Sequence, residues 1–150
     1  MKKFRFSLET VLDYKTQALD ALRAEHGAIL AQVRVQEKVI EDLEAEYRDA
    51  DADFTQRKLE GINVLDAMSF EQYLRSLERK LQEEYRKLDR LRKREEEKRS
   101  QVVEARKETA TIEKLKEHKL EDYRKAEQKD EEQRIEEFVS TTRAMAAMGM

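Results

Sequence analysis

Leu59–Ser69, LEGINVLDAMS, is where the fold is decided, because it separates two long series of apolar residues that each repeat at steps of four and three. Before it the series runs from Leu8 to Phe54, and after it a second begins at Phe70. Gly61 and Asn63 are the residue types that most easily take a positive φ, so the chain is expected to reverse there. Ser69 followed by Gln72 has the spacing of a capping box opening the second helix, with Met68 and Tyr73 at staple positions. The stretch is therefore read as the tip of a helical hairpin.

Working back from the tip, the first seam is Leu8, Leu12, Lys15, Leu19, Leu22, His26, Ile29, Val33, Gln36, Ile40, Leu43, Tyr47, Ala50 and Phe54. This is the heptad repeat of a left-handed coiled coil, with polar layers at Lys15, His26 and Gln36. Working forward, the second seam runs from Phe70 through Leu74, Leu77, Leu81, Glu84, Leu88 and Leu91 to Val102 and Ile112. If the chain folds back near residue 62, residues facing each other carry numbers adding to about 124. Phe54 then meets Phe70, Leu43 meets Leu81, Val33 meets Leu91, Leu22 meets Val102 and Leu12 meets Ile112. Ile29 faces Glu95, His26 faces Lys98, and Phe4 lies opposite Leu120. From Glu121 onward the second helix has no partner in the chain.

The expected fold is all-α: two long helices forming an antiparallel coiled-coil hairpin, with a longer second helix overhanging at the C-terminus. One coiled-coil domain covers residues 1–150, with helix one over 7–58, the tip turn over 59–68, helix two over 69–139 and a mobile tail over 140–150. Ser7 is the expected N-cap of helix one, with Phe6 and Val11 as its staple.

Composition agrees with a seam rather than a rounded core. Charged residues make up 43% of the chain, hydrophobic ones 39%, and the mean hydropathy is −0.96. There is no Pro and only three Gly, so little interrupts a helix. The heptad period argues against disorder. Absence of Cys excludes disulfides and thiolate metal sites. The opening MKKFRFSLET has no apolar run for a signal core, which makes a soluble cytoplasmic protein the expectation. A net charge of −3 argues against long-range attraction to nucleic acid.

Catalysis lacks parts: there is no glycine-rich phosphate loop and no pair of His at metal-ligand spacing, so no enzyme activity, cofactor, metal or small-molecule substrate is expected. His26 reads as a register-setting polar layer and His118 as a solvated helix residue. Acidic residues dominate Glu41–Glu60, whereas basic ones dominate Arg86–Lys107, a run read as a solvated coiled-coil face or a docking face for acidic protein surfaces. Two features ask for more. The tip set, including Tyr47, Phe54, Leu59, Ile62, Val64, Leu65, Met68, Phe70, Tyr73 and Tyr85, is longer and more apolar than a hairpin turn needs. Self-capping of the rod end and a partner pocket both account for it. The unpaired last stretch, in turn, is explained by a partner that completes its packing.

Four stretches carry a family resemblance. They are Phe4-Arg5-Phe6-Ser7-Leu8 with Val11-Leu12; Gln36 with Ile40, Leu43 and Glu46-Tyr47-Arg48; Ser69-Phe70-Glu71-Gln72-Tyr73-Leu74 with Leu77-Glu78; and Glu113-Lys114-Leu115-Lys116-Glu117 followed by Tyr123-Arg124, Glu127-Gln128-Lys129 and Ile135-Glu136-Glu137-Phe138. In order and spacing they resemble the FliJ family of flagellar type III export proteins. The resemblance implies an antiparallel coiled coil similar to the central stalk of rotary F-type ATPases, acting at the cytoplasmic face of the inner-membrane export apparatus. Its implied partners are the hexameric flagellar export ATPase, the linker of the export-gate membrane protein, and export chaperones. By position, the gate-facing patch comprises Gln36, Ile40, Leu43, Tyr47, Tyr73 and Leu77, and the ATPase-facing part comprises Arg124, Lys129, Arg134, Ile135 and Phe138. The rival readings are a general coiled-coil adaptor or holdase presenting the apolar tip, and a parallel filament-like dimer.

Overall fold

The computed structural model describes residues 2–149 and contains two helices, α1 (Glu9–Glu60) and α2 (Val64–Ala147), packed against each other as a helical hairpin. The reversal takes three residues, Gly61-Ile62-Asn63, where ten were expected. Gly61 supplies the left-handed step at φ 99°, a conformation that costs an L side chain a clash with its own backbone. Asn63 does not share that role. Its carbonyl accepts from the Ala67 amide at 3.0 Å and its Oδ1 accepts from the Asp66 amide at 2.8 Å, so Asn63 is the N-cap of α2.

This displaces the cap expected at Ser69. With a good capping residue six positions earlier, nothing stops the helix from starting at Val64. Ser69 lies inside it, its hydroxyl donating back to the Leu65 carbonyl at 3.1 Å. At the other end, α1 starts at Glu9 rather than 7 or 8. Leu8, not Ser7, accepts the first helical bond, from the Leu12 amide at 2.8 Å. Residues 140–147, read from the sequence as tail, continue α2. Met150 lies outside the described residues.

The chain divides into two compact units. In the unit Asp20–Val103, Ile29, Val33, Ile40, Phe54, Leu74, Leu77 and Leu88 are buried, and Val33, Ile40 and Leu88 form one cluster with Leu81 and Leu91 against it. Each buried aliphatic side chain contributes about 1.5–3 kcal/mol. Phe54 and Phe70 stack face to face, centroids 5.1 Å apart, as the pairing rule requires. His26 departs from the rule by a turn. Its Nε2 donates to Glu95 at 2.9 Å, and the Lys98 ammonium goes to Glu25 at 2.7 Å. Two nitrogen donors gain more from separate carboxylates than from facing each other.

In the unit Met1–Leu19 with Glu104–Met150, Leu12, Leu19 and Thr109 are buried, and the Thr109 hydroxyl is satisfied by the Ala105 carbonyl at 2.8 Å. Lys15 reaches Glu108 at 2.9 Å and Lys116 reaches Glu9 at 2.8 Å. The non-helical start of the chain lies along α2: Phe4 packs on Tyr123 at 5.5 Å, and the Tyr123 hydroxyl donates to the Lys2 carbonyl at 2.6 Å.

Candidate interaction surfaces

The six residues of the expected gate-facing patch split into two kinds. Leu77 is 1% exposed and Ile40 5%, so both hold the helices together and offer no surface. Gln36 is half-buried, its amide donating to the Glu84 carbonyl at 3.0 Å and to the Glu84 carboxylate. That amide, followed by the Lys87 ammonium, holds the Glu84 carboxyl below its ordinary range. Leu43 and Tyr47 are half-buried, whereas Tyr73 is exposed. The accessible part of the patch is therefore Gln36, Leu43, Tyr47 and Tyr73, with Tyr73 the most exposed.

These phenols are not loose. Tyr47 donates to Glu78 at 3.0 Å, and Tyr73 donates to Glu46. Tyr73 and Glu78, five residues apart, stand about 140° apart on α2, one on each side of the seam residues Leu74 and Leu77. One tyrosine–carboxylate pair thus clamps each flank of the hairpin. Tyr85 repeats the arrangement with Glu44. In all three the carboxylate accepting the hydroxyl's hydrogen bond, with partial burial, holds the phenol above its ordinary value. The sequence reading gathered the tyrosines and named Glu46 and Glu78 in the family stretches, but did not pair Glu44, Glu46 or Glu78 with a tyrosine. The signal was present: under the pairing rule each lies within a turn or so of its tyrosine's opposite number.

The five residues of the expected ATPase-facing part all lie on the C-terminal stretch of α2 and are exposed. From Arg124 to Gly149 every described residue is exposed except Asp130, which is half-buried. The contacts there are local, such as Arg134 to Asp130 at 3.4 Å and Gln128 to Glu132 at 3.4 Å. Pairs of this kind support a helix by a few tenths of a kcal/mol, roughly 0.2–0.5 each. At about 100° per residue, Arg124, Ile135, Phe138, Val139 and Met145 fall within about 120° of one another. Arg134 sits at the edge of that stripe, and Lys129 is on the opposite face. Phe138 is 72% exposed and Ile135 57%, a large apolar area to leave open on one helix.

The basic run is less free than its composition suggests. Arg92 meets Glu37 at 3.4 Å, Lys93 meets Asp89 at 3.2 Å, Lys98 meets Glu25 at 2.7 Å and Arg99 meets Glu95 at 3.8 Å. A depression of about 560 Å³ is lined by Lys93, Glu96, Glu97, Ser100 and Gln101, all from one helix, and a single helix cannot enclose a ligand. Among the described residues no cluster of three or more His, Asp or Glu could hold a metal ion, and no helix is long and apolar enough to cross a membrane.

Residues 4–146 match the model of a family described as flagellar FliJ protein. No curated protein and no solved structure matches the chain.

Proposed function

The chain belongs to the flagellar FliJ protein family and is a component of flagellar protein export, and from that premise we propose that it is a non-enzymatic coupling stalk. The C-terminal stretch of α2 seats in the centre of the export ATPase hexamer. The tyrosine surface around Tyr47 and Tyr73 meets the linker of the export-gate membrane protein, and the same chain receives emptied export chaperones. It works at the cytoplasmic face of the membrane, held there through protein contacts.

One observation supports this reading above the others: α2 continues as helix from Arg124 to Ala147, and among the described residues every one in that stretch but Asp130 is exposed. An unpaired helix bearing Ile135 and Phe138 costs exposed apolar area with no internal return. A ring pore supplies the missing partner on every side at once. Lys129, on the face opposite the Ile135 stripe, then meets a different subunit of the ring rather than being idle. Within the gate patch, Ile40 and Leu77 act from beneath by fixing the spacing of the helices that carry the two tyrosines.

Mixing the full chain with the purified ATPase is expected to promote hexamers and raise ATP hydrolysis, and removing residues 124–150 is expected to abolish both. An active ATPase that responds to neither chain, or to both equally, removes the stalk reading.

A further inference from the structure

The end of the Asp20–Val103 unit at which the chain reverses carries four side chains that its own fold does not use. Leu59 is 80% exposed, Leu65 75%, Val64 74% and Met68 51%. The turn is complete without them. Gly61 provides the reversal, Asn63 caps α2, and the Phe54–Phe70 stack closes the apolar seam. Val64, Leu65 and Met68 lie within about 100° of one another on α2, turned away from the seam side that holds Phe70 and Leu74.

The surroundings of these side chains are acidic on balance. From Glu41 to Arg75 the sequence has ten carboxylates, Glu60, Asp66 and Glu71 among them, against Arg48, Arg57, Lys58 and Arg75, the last one turn beyond Glu71 on the same face of α2. Two of these cations are turned onto rings: the Arg57 guanidinium is 5.3 Å from the Phe70 centroid and the Lys58 ammonium 4.0 Å from that of Phe54. Arg57 is also 3.5 Å from Asp53. The apolar knob is thus left with an acidic collar.

We propose that this end of the hairpin is a docking knob for a partner protein that offers an apolar groove flanked by Lys and Arg. An anionic bilayer would take the apolar side chains but repel the collar, whereas a basic groove satisfies both. The inference does not rest on the stalk reading, since neither the ATPase nor the gate enters it.

The test uses the full chain and an eighteen-residue amphipathic peptide of Leu and Lys, with a Leu and Glu peptide of the same pattern and vesicles with and without phosphatidylserine as the other arms. The Leu/Lys peptide is expected to bind, and Leu65→Gln with Met68→Gln to weaken it by about ten-fold. Glu60→Gln with Glu71→Gln is expected to weaken it several-fold and flatten its salt dependence. Asp49, Asp51 and Asp53 also attract a cationic peptide, so the readout is the difference between wild type and variant. All four changes are at exposed positions, and circular dichroism should show unaltered helix. Affinity unchanged in Leu65→Gln with Met68→Gln, equal binding of the Glu peptide, preference for the phosphatidylserine vesicles, or knob-dependent dimerisation of the chain alone would each overturn the proposal.

Discussion

Asn63 shows how much one side chain settles. Its carbonyl takes the first helical bond, from the Ala67 amide, and its amide oxygen satisfies the Asp66 amide, one of the donors that every helix start leaves orphaned. Asn63→Ala is expected to cost about 1 kcal/mol of stability. Ser69→Ala should cost nothing or stabilise slightly, because Ala is the better residue inside a helix and the hydroxyl only doubles a carbonyl already in use. Urea melts of the two variants decide between the caps, and equal losses would return the helix start to Ser69. The sequence was legible here in part. Gly61 and Asn63 stood out as the reversal, but Ser69-x-x-Gln72 matches a capping box equally well on paper. Val64, Leu65 and Met68 fall in the expected turn because that box opens the second helix at Ser69. What settles the matter is proximity to Gly61, a geometric fact that pattern counting does not weigh.

Along the helices, the polar layers are the informative features. Lys15, His26 and Gln36 interrupt the apolar seam of α1, and α2 answers each with a carboxylate, Glu108, Glu95 and Glu84. Such layers cost stability relative to Leu and return register, since sliding by one turn strands a half-buried polar group. The heptad made the seam and the Phe54–Phe70 contact readable in advance, while the one-turn offset at His26 was not. Heptad counting fixes which residues face the seam; which carboxylate a long side chain chooses depends on distances that only the folded pair sets. The Glu84 layer also carries a pH dependence. Its folded pKa lies below the ordinary 4.5, so its contribution is fully present above 4.5 and lost as pH falls through the folded value. Glu84→Gln replaces the carboxylate by an amide that does not titrate. Between pH 6 and pH ~3.5 its melting temperature is expected to fall by less than that of the wild type, and equal falls would show that the layer contributes nothing to acid sensitivity. The tyrosine clamps run the other way. With folded values raised above 10.0, their contribution is intact below pH 10.0 and lost as pH rises past it.

At the scale of the molecule, the two proposed contacts fall in different compact units, the tyrosine surface in Asp20–Val103 and the unpaired helical stretch in the unit containing Glu104–Met150. If each unit carries its own contact, the contacts are separable by mutation. Tyr47→Ala with Tyr73→Ala removes two phenols at or near the surface and leaves Leu77 and Ile40 buried, so the hairpin should stay folded. Leu77→Ala, by contrast, empties the most deeply buried side chain and should cost about 2–5 kcal/mol. The tyrosine double variant is expected to lose binding to the gate linker while still raising ATP hydrolysis by the ring. The chain ending at Tyr123 is expected to do the reverse, since the Phe4 and Lys2 contacts to Tyr123 are retained and the described residues removed are exposed apart from Asp130. Pull-down on the isolated linker and steady-state hydrolysis, run on both variants, read the two activities independently. Loss of both activities in both variants, at normal helicity, would mean one continuous surface in place of two, and a stalk that couples ring to gate needs two.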